Sequence, residues 1–249
     1  MHTIASLHPA LLLAAIATFC LVTTGIALAL LRVANRIVVR APELVPVAAF
    51  LGTISTAWAL SLGFAASDVW SLNSRADQAA AWERSAVTRL IGIAEPDALN
   101  IPTMHDALIA YMRAVRDNEW DGLRNRETDP EVDAAVQDIR LAIISMAKRG
   151  ISDPLITKSV QDFDELQDAR NERLAVGESA IDESKWYLVL FLTFLTMIAI
   201  VSVHADRPGA GRNALVIFAV AAGFSMWILA LHANPYDTMA LPFAGMLET

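Results

Sequence analysis

The sequence predicts an all-α membrane protein: four transmembrane helices, the second and third extended into a helical extramembrane domain. Three observations lead there. The chain is 55% apolar with a mean hydropathy of +0.44, which soluble domains rarely reach. Its apolar residues are concentrated in four nearly charge-free blocks, each near the ~20 residues that cross a bilayer as helix. Its charges are gathered in one long insert with helical periodicity.

The first span is expected at 8–31. The residues before it carry no Lys or Arg, and its basic residues, Arg32, Arg36 and Arg40, follow it. That is the reverse of a cleaved signal peptide, so it reads as a retained helix. The only cysteine, Cys20, lies inside it, so no intrachain disulfide is possible.

The second span is expected at 44–67. Wound at ~100° per residue, Gly52, Ser55, Thr56, Ala59, Gly63, Ala66 and Ser67 gather on one side, with Ile54, Trp58, Leu62 and Ala65 towards the other. A small-residue stripe of this kind either packs closely against another helix or lines a space containing water. After Ser67 the chain runs to Gly92 without Gly or Pro, so one helix should leave the membrane and continue to about Ile91.

The insert, 68–185, holds 14 Lys/Arg and 23 Asp/Glu, which accounts for the net charge of −8 of the whole chain. Such an acidic surface disfavours nucleic acid. Within it, EPDALNIP is a break. Thr103 with Asp106 resembles a helix start, and NRETDP closes that helix. Asp129 caps the next, with Pro130 in its first turn and Gly150 after its end. Asp153-Pro154 repeats the start signal, and the following helix should run directly into Trp186. On it Arg170 and Arg173 sit among Asp164, Glu165, Asp168 and Glu172, in the spacing of ordinary helix-face ion pairs. The sharper expectation is an inter-helix pairing of both arginines with Glu83, which would fix the register of the two long helices.

The third span is expected at 186–203 and the fourth at 213–232, joined by the turn ADRPGAGR. The tail, 233–249, is expected to lie back on the protein or in the membrane interface. The six tryptophans read as interfacial anchors and core, and His204 and His232 as interfacial residues. The short loops and the flanks of the insert carry five basic residues each, which leaves sidedness open, although the first helix favours a cytoplasmic Arg32–Arg40 loop.

No CxxC, HExxH, P-loop or GxGxxG pattern occurs, and the five histidines are scattered. The sequence therefore gives no reason to expect a metal, a cofactor, a nucleotide or a catalytic constellation.

The segments LSLGFAASDVW, ADQAAAWERSAVTRLIGIAEP, LQDARNERLAVGESAIDESKWY and HANPYDT resemble a family of bacterial four-helix membrane proteins called bestrophin-like. The resemblance covers nearly the whole chain after about Leu44. Its architecture is in turn similar to that of bestrophin ion channels, which are pentamers with a pore lined by the second helix. It implies a homo-oligomer in a bacterial inner membrane, with the insert in the cytoplasm. Ser55, Thr56, Ala59, Gly63 and Ser67 would line an axial path for a permeant ion. Asp68, at the pore mouth, would form a carboxylate collar with a weak lean to cations. Bestrophins narrow the pore with a hydrophobic neck, for which this stripe offers Ala59 and Ala66 at best, with Leu60, Leu62 and Phe64 adjacent. Two other readings remain. One is a membrane-anchored structural or signalling scaffold whose helical domain binds a partner. The other is a secondary transporter, against which stand the lack of an inverted repeat and of any mid-membrane charge.

Overall fold

In the computed structural model, residues 9–39, 46, 48–120, 125–178, 183–237 and 241–247 are described. They are helical with no strands. The elements are α1 (Pro9–Val38), α2 (Ala48–Ala94), α3 (Pro102–Ala114), a π-helical segment (Val115–Glu119), α4 (Pro130–Lys148), α5 (Asp153–Glu178), α6 (Glu183–Val203), α7 (Pro208–Leu231), a short 3₁₀ turn (Pro235–Asp237) and α8 (Ala244–Leu247). Four of them, α1, α2, α6 and α7, are long and apolar enough to cross a membrane. The chain divides into two compact units: residues 1–70 with 181–233, and residues 71–180 with 234–249. The division falls within α2, which runs unbroken from Ala48 to Ala94. The expected run of α5 into the third span crosses 179–182, which lie outside the described residues.

The membrane unit is held by α1, α6 and the first part of α2 around α7. Two glycines of α7 let it approach α1. A Cβ on Gly211 would stand 2.8 Å from His204 Cβ and 3.1 Å from Leu31 Cδ2, and one on Gly223 would stand 3.1 Å from Cys20 Sγ. Gly211 was expected in a turn. Pro208 instead starts α7 at its first position, which suits a residue with no N–H to leave unpaired, and so both Gly209 and Gly211 are helical. Asn35 Nδ2 donates to the carbonyl of Ala205 at 2.7 Å and ties the end of α1 to the α6–α7 turn. The inner side of α2 packs through Trp58, whose indole N–H donates to Thr193 Oγ1 at 2.9 Å. The same ring meets Phe218 edge-on with centroids 5.0 Å apart.

The extramembrane unit is built from the rest of α2 with α3, α4 and α5. Its core includes Val87, Leu90, Ile101, Met104, Leu108, Met112, Ile139, Met146 and Leu166. Asp129 caps α4, its side chain accepting from the Glu131 N–H, with Pro130 in the first turn. Gly150 follows with φ of 74°, the left-handed conformation glycine adopts at no steric cost. Two starts differ from expectation. The α3 helix begins at Pro102 with no side-chain cap, because the proline already removes one of the N–H groups a cap would satisfy. The first turn of α5 is closed by Ser152, whose carbonyl accepts from the N–H groups of Leu155 and Ile156. Of the two placements expected for the tail, the structure takes the one on the protein. Tyr236 and Phe243 are buried in this unit, and Phe243 lies edge-on to Tyr111.

Candidate functional site

Within the membrane unit the small stripe faces outward. Gly52, Thr56, Ala59, Gly63 and Ser67 are exposed and Ser55 is half-exposed, whereas Ala66, at the stripe's inner edge, is buried. The bulky side, with Ile54, Trp58, Leu62 and Ala65, turns inward. A Cβ on Gly52 or Gly63 would meet no described atom within 4 Å. Among the described residues, these exposed positions of the stripe are not used for packing within the chain. Only 6% of the most apolar stretch of α2 is buried, against 22% for α1, 39% for α6 and 22% for α7. Thr56 Oγ1 donates back to the Gly52 carbonyl at 2.9 Å, so its proton is engaged and its lone pairs point outward from the helix.

The line of small side chains ends at Trp70, 61% exposed. It lies at the angular position of Gly52, since 18 residues make about five turns of helix. Trp70 and Trp82 were read with the other tryptophans as anchors and core. Both are more than half exposed, because neither falls on the inward side of α2. Asp68 is not a free collar carboxylate: Lys185 Nζ donates to its Oδ2, and both side chains are partly exposed. A carboxylate carrying its own ammonium attracts cations less than a free one.

The extramembrane unit contains a second constellation, entirely inside. Arg173 is fully buried. Its Nε donates to Glu83 Oε2 at 2.6 Å, its Nη2 to Glu119 Oε2 at 2.8 Å and its Nη1 to Asn125 Oδ1 at 2.5 Å. Its guanidinium also stands over the Trp120 ring at 5.7 Å. Tyr111 donates its phenol proton to Glu83 Oε1 at 2.5 Å. Arg170 does not reach Glu83. It pairs with Glu119 and, at 2.7 Å, with Asp133 of α4. The helix-face pairs expected for both arginines are absent among the described bonds. Glu165 and Glu172 instead accept from Arg89 and Arg75 of α2.

The four central charges, two carboxylates and two guanidiniums, balance. Burial alone would raise the carboxyl pKa of Glu119, but Arg170 and Arg173 hold it below the usual range. Burial opposes the charge on Arg173 too, and Glu83 and Glu119 outweigh it, so the guanidinium is held still more firmly as a cation. Burial and the neighbouring Glu83 push the Tyr111 phenol well above its ordinary value. A cluster of paired buried charges of this kind fixes which helices meet and at what register.

The π-helical turn places Glu119 here, and no sequence signal marks that turn. Asn125 is equally silent, but its neighbour carries a trace. A Cβ on Gly177 would fall 1.5 Å from the Asn125 carbonyl oxygen, so a glycine in an otherwise regular helix marks where that loop crosses α5. Among the described residues no group of His, Cys, Asp and Glu is arranged to hold a metal.

No curated protein and no solved structure matches the chain. A family model described as the Bestrophin-like domain matches residues 15–247. That range takes in most of α1, the other three apolar helices, the outward stripe and the buried charge cluster, and it identifies this membrane protein as a member of the Bestrophin-like family.

Proposed function

We propose that the chain is the subunit of a homo-oligomeric, pentameric ion channel of a bacterial inner membrane. Ions would pass down an axial path lined by Ser55, Thr56, Ala59, Gly63 and Ser67. The observation that carries this reading is the uncovered side of α2. It holds Gly52, Thr56, Ala59, Gly63 and Ser67, flanked by exposed Leu60 and Phe64, while Ile54, Trp58, Leu62 and Ala65 face the protein. Small side chains facing an axis leave room for a hydrated ion, and hydroxyl oxygens and backbone carbonyls replace part of its water shell. Asp68 retains a weak preference for cations, reduced by its pairing with Lys185.

The test uses the full chain in a Cys20→Ala background. Thr56→Cys or Gly63→Cys should react with a membrane-impermeant thiol reagent, and modification should reduce ion flux from proteoliposomes. Thr56→Trp should block flux while the particle keeps its native mass. Intact particles that conduct unchanged with Thr56→Trp would show that the path lies elsewhere. An unreactive, dry stripe in a particle with no flux would favour the scaffold.

A further inference from the structure

The extramembrane unit leaves two surfaces uncovered, and their chemistries complement each other. The first is an open cavity of about 470 Å³ between α2 and α5, lined by Trp82, Ser85, Arg89, Glu165, Asp168 and Glu172. Trp82 is 54% exposed there. The α5 edge of this groove carries Glu165, Asp168 and Glu172, of which Glu165 and Glu172 pair with Arg89 and Arg75 of α2.

The second surface is the outer face of α4. Its inner face carries Val132, Ala135, Val136, Ile139, Ala142, Ile143 and Met146. Opposite them, at the three-and-four spacing of one helix face, lie Ala134, Leu141, Ile144 and Lys148. Leu141 is 51% and Ile144 46% exposed. Arg140 of α4 donates to Gln167 of α5 and lies over Phe163, so the antiparallel register brings exposed Val160 alongside Ile144. Arg140, Lys148 and Arg149 edge the C-terminal half of this patch, while the carboxylates of Glu131, Asp133 and Asp138 lie towards its N-terminal half.

The two surfaces lie on different sides of the unit. Hydrogen bonds and ion pairs join α2 to α3 and to α5, and α4 packs on α3 and α5, so α4 is diagonal to α2. Around α5, Glu165 and Glu172 lie about 120–140° from Val160 and Asp168 about 80°, at ~100° per residue.

Resting on the oligomer reading above, we infer that the α2–α5 groove of one subunit receives the outer face of α4 from a second copy of this chain, with Trp82 seated on Leu141 and Ile144. An exposed aromatic set in a groove is the kind of side chain that anchors an interface. The acidic edge meeting the basic end of α4 sets the partner's orientation. The contact is heterologous, one surface of each copy against the other surface of the next, and such contacts propagate around a ring when their rotation closes. The geometry also suits an axial α2. The helix's exposed line in this unit, Ser74, Asp77, Ala81 and Thr88, lies about 110° from Trp82, so one flank docks while the line beside it stays open.

The test is cross-linking of the full chain in native membranes with a short bismaleimide, in the Cys20→Ala background. Trp82→Cys and Ile144→Cys together should give a ladder of covalent oligomers ending at the native particle mass, and neither substitution alone should give more than trace dimer. Lys148→Glu should thin the ladder, and Lys148→Glu with Asp168→Lys should restore it. An oligomeric particle with no ladder overturns this docking and leaves the channel reading standing. Strong dimer from Trp82→Cys alone also overturns it, since like surfaces would then be meeting. A monomeric particle removes both.

Discussion

Compare the glycines of α2 with those of α7. Gly52 and Gly63 face open space, while Gly211 and Gly223 are pressed against His204, Leu31 and Cys20. All four sit in apolar helices among small neighbours, and by composition they are indistinguishable. The difference lies in what the rest of the chain supplies opposite them. On α7 smallness serves close packing inside the subunit. On α2 no described residue lies against Gly52 or Gly63. The extramembrane unit shows the complementary case, with charges expected on the surface buried at its centre. Polarity is thus spent in opposite places in the two units: outward on α2 in the membrane, inward around Arg173 beyond it.

The largest effect should come from the charged centre. Arg173→Met leaves Glu83 and part of Glu119 buried without their cation, and loss of one partner of such a pair costs about 3–5 kcal/mol. Thermal unfolding of the detergent-solubilised chain, followed by helical circular dichroism, should show it. A small change would mean that water enters the cluster.

Next is the glycine contrast itself. Gly211→Ala must displace His204 or Leu31 and should destabilise the membrane unit by about 1–3 kcal/mol. Gly63→Ala meets nothing and should hold or slightly gain stability, by about 0.5–1 kcal/mol. Equal losses at both sites in the same unfolding assay would erase the distinction between the helices.

Acid should act on the extramembrane unit through Glu119. Its carboxyl is held below the ordinary range in the folded state, so its contribution is complete above the unfolded pKa of about 4.3. It is lost as pH falls through the depressed folded value. Melting temperature should therefore fall on acidification below about pH 4.3, and Glu119→Gln should be less stable at neutral pH and flatter in acid. A parallel profile would place the acid sensitivity elsewhere.

The smallest effect is expected at Trp58→Phe, which keeps most of the packing on Phe218 and removes one hydrogen bond to Thr193. Such a bond inside a membrane protein is worth about 0.6 kcal/mol. A loss several times larger would mean that the indole sets the rotation of α2.

Much of the fold was legible because its signals are local. Apolar block lengths gave the spans, Asp129-Pro130 and Gly150 bracketed α4, and the absence of Gly and Pro from Asp68 to Ile91 gave the long α2. The grouping of small residues on α2 was legible from helical period alone. Its outward orientation was not, because that depends on Thr193 and Phe218, far along the chain. The pairing of Arg173 with Glu83 could be posed from the two helices facing each other. The partners of Arg170 could not, since Glu119 arrives through a π turn and Asp133 from another helix. Lys185 lay in plain sight beside the third span, yet only folding sets it against Asp68.

The burial of Phe243 and Tyr236 has a consequence for how the molecule is made. Both lie beyond α7 in the chain, yet Phe243 completes a core whose other buried members lie between Ala86 and Leu166, and Tyr236 donates to the Arg173 carbonyl at 3.0 Å. A ribosome emits the last of these residues only after all four apolar helices. Until then the nascent extramembrane unit waits with its pocket for Phe243 open, and insertion of the final span must come before the closing of a core that was translated mostly before it.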